Sequence, residues 1–357
     1  MTERTLVTVY LRGGADGLYL VPPIGDDDYH RARPTLAVKP TDAIRLDAMF
    51  GLHPLLKPLE RWFRDGKLAV VHGCGSDDET RSHFEAQDLM EHAGRAVAGG
   101  WIGRFLRATA ADGGGALDAV ALGTAIPESL RAAPSSAALE SFAELGGAED
   151  RRLHAALAGL YAVDPLLAAP ARDALTASAR LSDLAAATYH PEHGAVYAAD
   201  DFSERLARAA QLIKAGIGVR AITIDLDGWD SHFVQDTVLA GKLTALAGGL
   251  NSFATDLGPR LADVSVVVMT EFGRRVAENA SLGTDHGRGG ALFVLGGGTP
   301  GGMHCRWPGL KSGVLDGPGD VPVVHDWRSV VAAVLRRHGA TDLSRVLPEW
   351  AGKSLPV

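Results

Sequence analysis

Cysteine is nearly missing: Cys74 and Cys305 are the only two in 357 residues. Two thiols make no disulfide framework, so a packed core must carry the fold, and a reducing compartment is the expectation. No apolar run reaches the roughly 20 residues of a membrane span. An excess of base is also lacking, with 35 Lys and Arg against 43 Asp and Glu and a net charge of −8. That excludes a broad nucleic-acid footprint but leaves room for a local cationic site for an anionic small molecule. Met-Thr-Glu-Arg-Thr at the start runs straight into an apolar strand, without the ordered segments of a secretory signal, so a cytoplasmic location is expected. The glycine-rich Gly296–Gly302 is not followed by Gly-Lys-Ser/Thr and reads as a turn, not a phosphate loop.

What is present suffices for one large α/β domain: 46% apolar and 22% charged residues over this length bury an ample core. Short apolar, β-branched runs recur at 6–11, 68–72, 117–122, 219–225, 264–269 and 291–295. Their near-continuous apolar character predicts strands covered on both faces, as in a mostly parallel sheet between helical layers. Helical spacing fills the gaps, over 52–63, 80–92, 233–257 and 327–338, with Ser82 and Glu85 as a candidate capping box. The Ala- and Leu-rich stretch 124–217 reads as a helical insert or cap within a single domain covering 1–357.

Polar clusters follow directly on four of these strands. They are Arg12 to Gly17, Asp77 to His83, Asp227 to His232 and Thr270 to Arg274; a fifth, Thr284 to Arg288, precedes the last strand. Sites in open parallel sheets form at the carboxyl ends of strands, so one edge would gather these carboxylates and imidazoles. Gathered carboxylates repel one another unless a cation balances them. Asp, Glu and His without Cys suit Zn, Mn or Mg, and two ions about 3.5–4 Å apart would clamp a displacement. Arg12, Arg81, Arg274 and Arg288 offer forks for a phosphate or sulfate. Taken singly, each motif has a plainer reading. Asp16-Gly17 is a common turn pair, Asp227 or Asp230 a helix cap, Glu271 a partner of Arg274 or Arg275, and Thr80 and Ser82 are caps. His83 would then be a core residue and His286 a satisfied surface histidine.

The segments Leu11 to Gly17, Gly51 to Pro54, Thr80 to Gln87, Gly228 to His232, Thr270 to Arg274, Gly283 to Gly287 and Arg306 to Leu310 together resemble the bacterial domain of unknown function 1501 family, in order and over nearly the whole chain. That resemblance bears on fold more than on reaction. The chain is also similar to the wider alkaline phosphatase-like superfamily, which includes sulfatases and phosphopentomutases. There, Asp16-Gly17 looks like the first metal aspartate, the segment from Asp227 to His232 like the Asp…His pair, and Thr284-Asp-His286 like the late histidine motif. Where that superfamily has Asp-His-Gly, this chain has Glu271-Phe272-Gly273.

The resemblance implies an alkaline phosphatase-like fold and a metal-dependent hydrolase of a phosphate, sulfate or related ester, with one or two divalent ions, Zn or Mn foremost. Asp230 or Asp227, His232 and His286 would hold one ion; Asp16 and Glu271, with His83 for the missing imidazole, would hold another. Phenylalanine binds no metal, so a single-metal site is the alternative. The nucleophile is Thr80, Ser82 or water on the metal; Arg81 and Arg274 would hold the anion and His83 act as general acid or base. The expected partner is an anionic small-molecule substrate, with no nucleic acid and no membrane. A metalloenzyme of another reaction class and a non-catalytic binding relative remain alternatives.

Overall fold

Strand β1 (Thr5–Arg12) runs through the interior of a nine-stranded sheet, with β7 (Ala221–Asp227) on one side and β8 (Val264–Met269) on the other, both parallel to it. Outward from β7 lie β5 (Ala119–Leu122) and β6 (Ser136–Ala138); outward from β8 lie β9 (Gly290–Gly296), β4 (Leu68–Gly75) and β10 (Gly302–His304). The short β11 (His325–Asp326) pairs with the end of β4, and a separate hairpin joins β2 (Ile44–Arg45) to β3 (Gly51–Leu52). The structure is a computed structural model and describes residues 4–95, 97–110, 117–140, 156–164 and 166–357. Among these residues every ladder of the large sheet is parallel except the two that β9 makes, with β4 and β8. The protein is thus α/β, with a large, mixed, mostly parallel sheet.

Alternation along β1 shows why both faces are covered. Val7, Val9 and Leu11 enter one hydrophobic cluster, Leu6 and Tyr10 another. The helix Gln235–Leu257 fills the first with Leu239, Leu243, Leu246, Leu250, Phe253 and Leu257, a three-and-four spacing that puts one stripe on the sheet. Each such side chain contributes about 1.5–3 kcal/mol on burial. The helices Trp101–Ala108 and Trp327–Arg337 fill the second cluster. No helix among the described residues is long and apolar enough to cross a membrane.

The six expected strands are all present, and β6, β10, β11 and the hairpin are additional. The stretch 124–217 contributes more than a cap. Ser136–Ala138 extends the sheet, and the helix Asp201–Ala215 packs on the core through Phe202, Leu206, Ala209 and Leu212. Part of the expected insert, 141–155 and 165, lies outside the described residues. The capping box is corrected: Ser82 caps the helix His83–His92 by position, but its side chain makes no cap bond, and Glu85 instead accepts a hydrogen bond from Thr80 Oγ1 at 2.8 Å. The adjacent hydroxyl competes successfully for the carboxylate.

The reversal of β9 is what positions the site. Its first residue lies at the edge where β1, β4, β7 and β8 end, so the segment just before β9 meets the loops just after the other four.

Burial pushes His72 down to about 4 and His338 down to about 3. The unfolded chain titrates these imidazoles near pH 6.5, so between that value and about pH 4 it binds protons the folded chain refuses. Stability therefore falls as pH drops through this window, by up to roughly 1.4 kcal/mol per pH unit per histidine. His338→Gln should make the fall shallower, read as the urea midpoint from about pH 7 to about pH 4; an unchanged slope would remove His338 from the account.

Candidate metal centre

The loop after β1 is pressed against the loop after β7. Gly13 has φ of +121°, and a Cβ there would sit 2.5 Å from the backbone nitrogen of Asp230. Only glycine combines that backbone with that approach. Into the same junction runs Arg274, whose side chain is fully buried. Its Nε donates to Gly14 O at 2.7 Å and its Nη1 to Thr284 O at 2.9 Å. Its Nη2 donates to Gly13 O and to Asp230 Oδ1, the latter at 2.7 Å. One guanidinium thus ties the loops after β1, β7 and β8 to the segment before β9.

Three imidazoles stand around Asp230. His232 Nε2 lies 3.2 Å, His286 Nε2 3.4 Å and His83 Nε2 3.5 Å from Asp230 Oδ1, and the Nε2 atoms of His232 and His286 are 2.9 Å apart. Each ring is held at its other nitrogen. His83 Nδ1 meets Glu271 Oε1 at 2.8 Å, His232 Nδ1 meets Asp285 Oδ1 at 3.3 Å and His286 Nδ1 meets the carbonyl oxygen of Arg81 at 2.7 Å. All three partners only accept, so in each neutral ring the proton belongs on Nδ1 and the Nε2 lone pair points inward. Three nitrogen lone pairs are then turned toward Asp230 Oδ1, which itself accepts from Arg274. A divalent cation would answer those lone pairs, and imidazoles oriented by an outer carboxylate or carbonyl are how proteins present ligands. Donors about 2.0–2.1 Å from a tetrahedral ion are about 3.3 Å apart; the ligand atoms of His83, Asp230 and His286 all lie within 4.8 Å of one another, and His232 Nε2 adjoins Asp230 and His286 at 3.2 and 2.9 Å.

Outer groups fix this arrangement. Glu271 Oε1 also accepts from Gly13 N at 2.9 Å and Gln87 Nε2 at 3.0 Å, and Oε2 accepts from Thr270 Oγ1 at 2.9 Å. Burial would raise the Glu271 carboxyl, but the hydrogen bonds from His83, Gln87 and backbone amides outweigh it and hold it at about 2. For Asp230 burial is likewise outweighed, chiefly by Arg274, and its carboxyl stays at about 2. Asp285 is lowered by the Asn279 amide, which donates to Oδ1 at 3.1 Å. Phe272, buried, packs its ring 4.9 Å from both His83 and His286 and walls off one side.

The expected ligands separate into groups. Asp230, His232 and His286 converge, and His83 joins them. Glu271 stands one bond further out, behind His83. Asp16 is not brought to the imidazoles: its carboxylate is buried, paired with Arg33 at 2.5 Å, bonded by Gln235 Nε2 at 2.8 Å, and caps the turn at Leu18. Asp227 is exposed at the end of β7, facing a neighbouring cavity. Arg274 is not available to an anion, since backbone carbonyls and Asp230 occupy its donors. Arg81 pairs with buried Asp320 yet keeps 31% of its side chain exposed. Asp285, Gln87 and Asn279 were not singled out in the sequence, although Asp285 adjoins His286 and Gln87 ends the Thr80 segment.

A family model described as "Protein of unknown function (DUF1501)" matches residues 69–331. The chain belongs to that family. The matched DUF1501 region contains His83, Asp230, His232, Glu271, Arg274 and His286 and begins after Asp16. No curated protein matches the chain.

Arg274→Lys keeps the charge but cannot reach three loops at once. It should lower unfolding stability by about 3–5 kcal/mol, the usual cost of breaking a buried charged network. Denaturant unfolding checks this; a loss of less than about 1 kcal/mol would contradict the role given to Arg274.

Proposed function

We propose that the protein is a metal-dependent hydrolase of a phosphate, sulfate or related ester, on a fold of the alkaline phosphatase-like kind. The supporting observation is the inward set of Nε2 lone pairs on His83, His232 and His286 around Asp230. This donor set of nitrogen and carboxylate oxygen, without sulfur, fits Zn or Mn. A bound divalent cation would supply Lewis acidity toward an anionic ester oxygen.

The chain's own groups do the rest. Arg274 keeps Asp230 ionised, and Glu271, Asp285 and the Arg81 carbonyl keep the ring protons on Nδ1. Arg81, with its exposed third, is the guanidinium left to meet the anion; Arg274 is withdrawn from that role. Thr80 Oγ1 is engaged with Glu85, which leaves the Ser82 hydroxyl or water as the attacking group. His83 is raised by its hydrogen bond to Glu271, which suits it to carry a proton when no cation holds it. Phe272 fills the place of a second imidazole, so we read the centre as holding one ion. The same residue is what favours the second reading, a metalloenzyme of another reaction class.

The test is metal content and turnover together. The protein equilibrated with Zn or Mn should retain about one ion per chain, and His232→Ala or His286→Ala should lose it. Glu271→Ala should weaken metal affinity by about 10–100-fold through His83. Aryl phosphate or aryl sulfate turnover should require the ion and fall with either histidine variant. Metal retention without turnover would favour the second reading; equal metal retention and equal rates in wild type and variants would refute both.

A further inference from the structure

Beside the imidazole cluster opens a cavity of about 560 Å³, at the ends of β1, β7 and β5. That lies within the roughly 300–1,000 Å³ of small-molecule sites. It abuts the candidate metal centre. Gln87 lines it and with the same side chain donates to Glu271 Oε1 at 3.0 Å, and Asp227 lines it three residues ahead of Asp230.

Its polar lining carries both signs. Arg12 pairs with Glu91 at 2.7 Å and with Asp225 at 3.1 Å. Arg205 donates to the Asp225 carbonyl at 3.2 Å and, among the described residues, forms no ion pair; nor does Asp227. The remaining wall includes Leu122, Ala125, Ile126 and Pro127, the end of β5 and the turn after it. Among the described residues no aromatic ring lines it.

We propose that this cavity takes a neutral, polyhydroxylated group, which on the hydrolytic reading is the alcohol part of the ester. The chemistry decides by elimination. A second anion would face Glu91, Glu128, Asp225 and Asp227; a cation would face Arg12 and Arg205, and three of the four carboxylates already have cationic or imidazole partners, Glu91 and Asp225 in Arg12 and Glu128 in Arg131 and His92. A purely apolar group would take water from those charges and give nothing back, at a cost of about 1–3 kcal/mol for each group left unpaired. A hydroxyl both donates and accepts, so neighbouring hydroxyls satisfy Asp227 and Arg205 at once. The C–H surface of a polyol suits the apolar wall. The link to a reaction rests on the proposed function; the ligand chemistry does not.

The test uses probes of one carbon skeleton: sorbitol as the neutral member, glucamine as the cation and gluconate as the anion, with inositol as a neutral ring and hexanol as the apolar control. Binding is followed by saturation-transfer NMR and calorimetry. Sorbitol or inositol should bind more tightly than the charged and apolar probes. Two variants place the site. Gly123 lines the cavity, and a Cβ there meets nothing within 4 Å, so Gly123→Phe fills the space without a backbone clash. Asp227→Ala removes an acceptor. Both should weaken neutral-polyol binding at least about tenfold and leave metal uptake by the imidazoles unchanged. Tighter binding of glucamine, gluconate or hexanol, no binding of either neutral probe, or variants that bind as wild type does would each overturn the proposal. Polyol binding with no ester turnover would sink only the hydrolytic reading; aryl-ester turnover with no polyol binding would sink only this one.

Discussion

The site depends on one buried guanidinium. Loops at a strand edge carry unpaired carbonyls, and a buried carbonyl must find a donor. Arg274 satisfies carbonyls of Gly13, Gly14, Trp229 and Thr284, and its charge is balanced by Asp230. An arginine serves here because its donors form a rigid planar fork that reaches several loops together. The consequence is coupling: the residue that holds the loops also fixes the carboxylate around which the imidazoles gather. Asp230 cannot drift without leaving a buried cation unpaired.

A second buried network braces the same loops from below. Asp16 accepts from Arg33 and Gln235, and Gln235 Oε1 in turn accepts from Ser231 Oγ at 2.9 Å and Thr284 Oγ1 at 2.7 Å. Asp16 therefore matters to the geometry although it does not face the imidazoles. Val234, just before Gln235, is held at φ of +37°, a costly conformation for a β-branched residue. Its amide donates to Ser281 O and that of Gln235 to Leu282 O, so the strain sits where the β7 loop is tied to the loop carrying Asn279 and Asp285.

Much of this was legible in the sequence, for a physical reason. Strands buried on both faces give continuous apolar runs, and polar clusters directly after such runs have few places to go but the shared edge. His232, His286 and Asp230 followed from that placement. The direction of β9 did not, because an apolar run has no polarity; yet that direction is what brings His286 to the edge. Asp16 and Asp227 show the complementary failure. Both follow strands as Asp230 does, and local sequence does not distinguish a carboxylate turned down onto Arg33, or outward to solvent, from one turned toward the imidazoles. Arg274 is a similar case, since a flanking arginine reads as an anion clamp until its backbone partners are known. The short strands β6, β10 and β11 are too brief for any periodicity to show.

Protons would compete with any cation at the candidate centre, and the surroundings weigh against them. Filling the space with protons would make imidazolium ions of neighbouring rings 4.4–4.6 Å apart, beside the Arg274 charge. Three carboxylates oppose that accumulation: Asp230, which Arg274 already claims, Glu271 behind His83 and Asp285 behind His232. His286 is pushed down by burial first, so it resists protonation, while His83 accepts a proton more readily because Glu271 faces it. One ring of the cluster thus favours a proton while its neighbour resists one. On the metal reading a single ion would accept from these rings together, and Phe272, packed on His83 and His286, leaves no imidazole at that wall for a second.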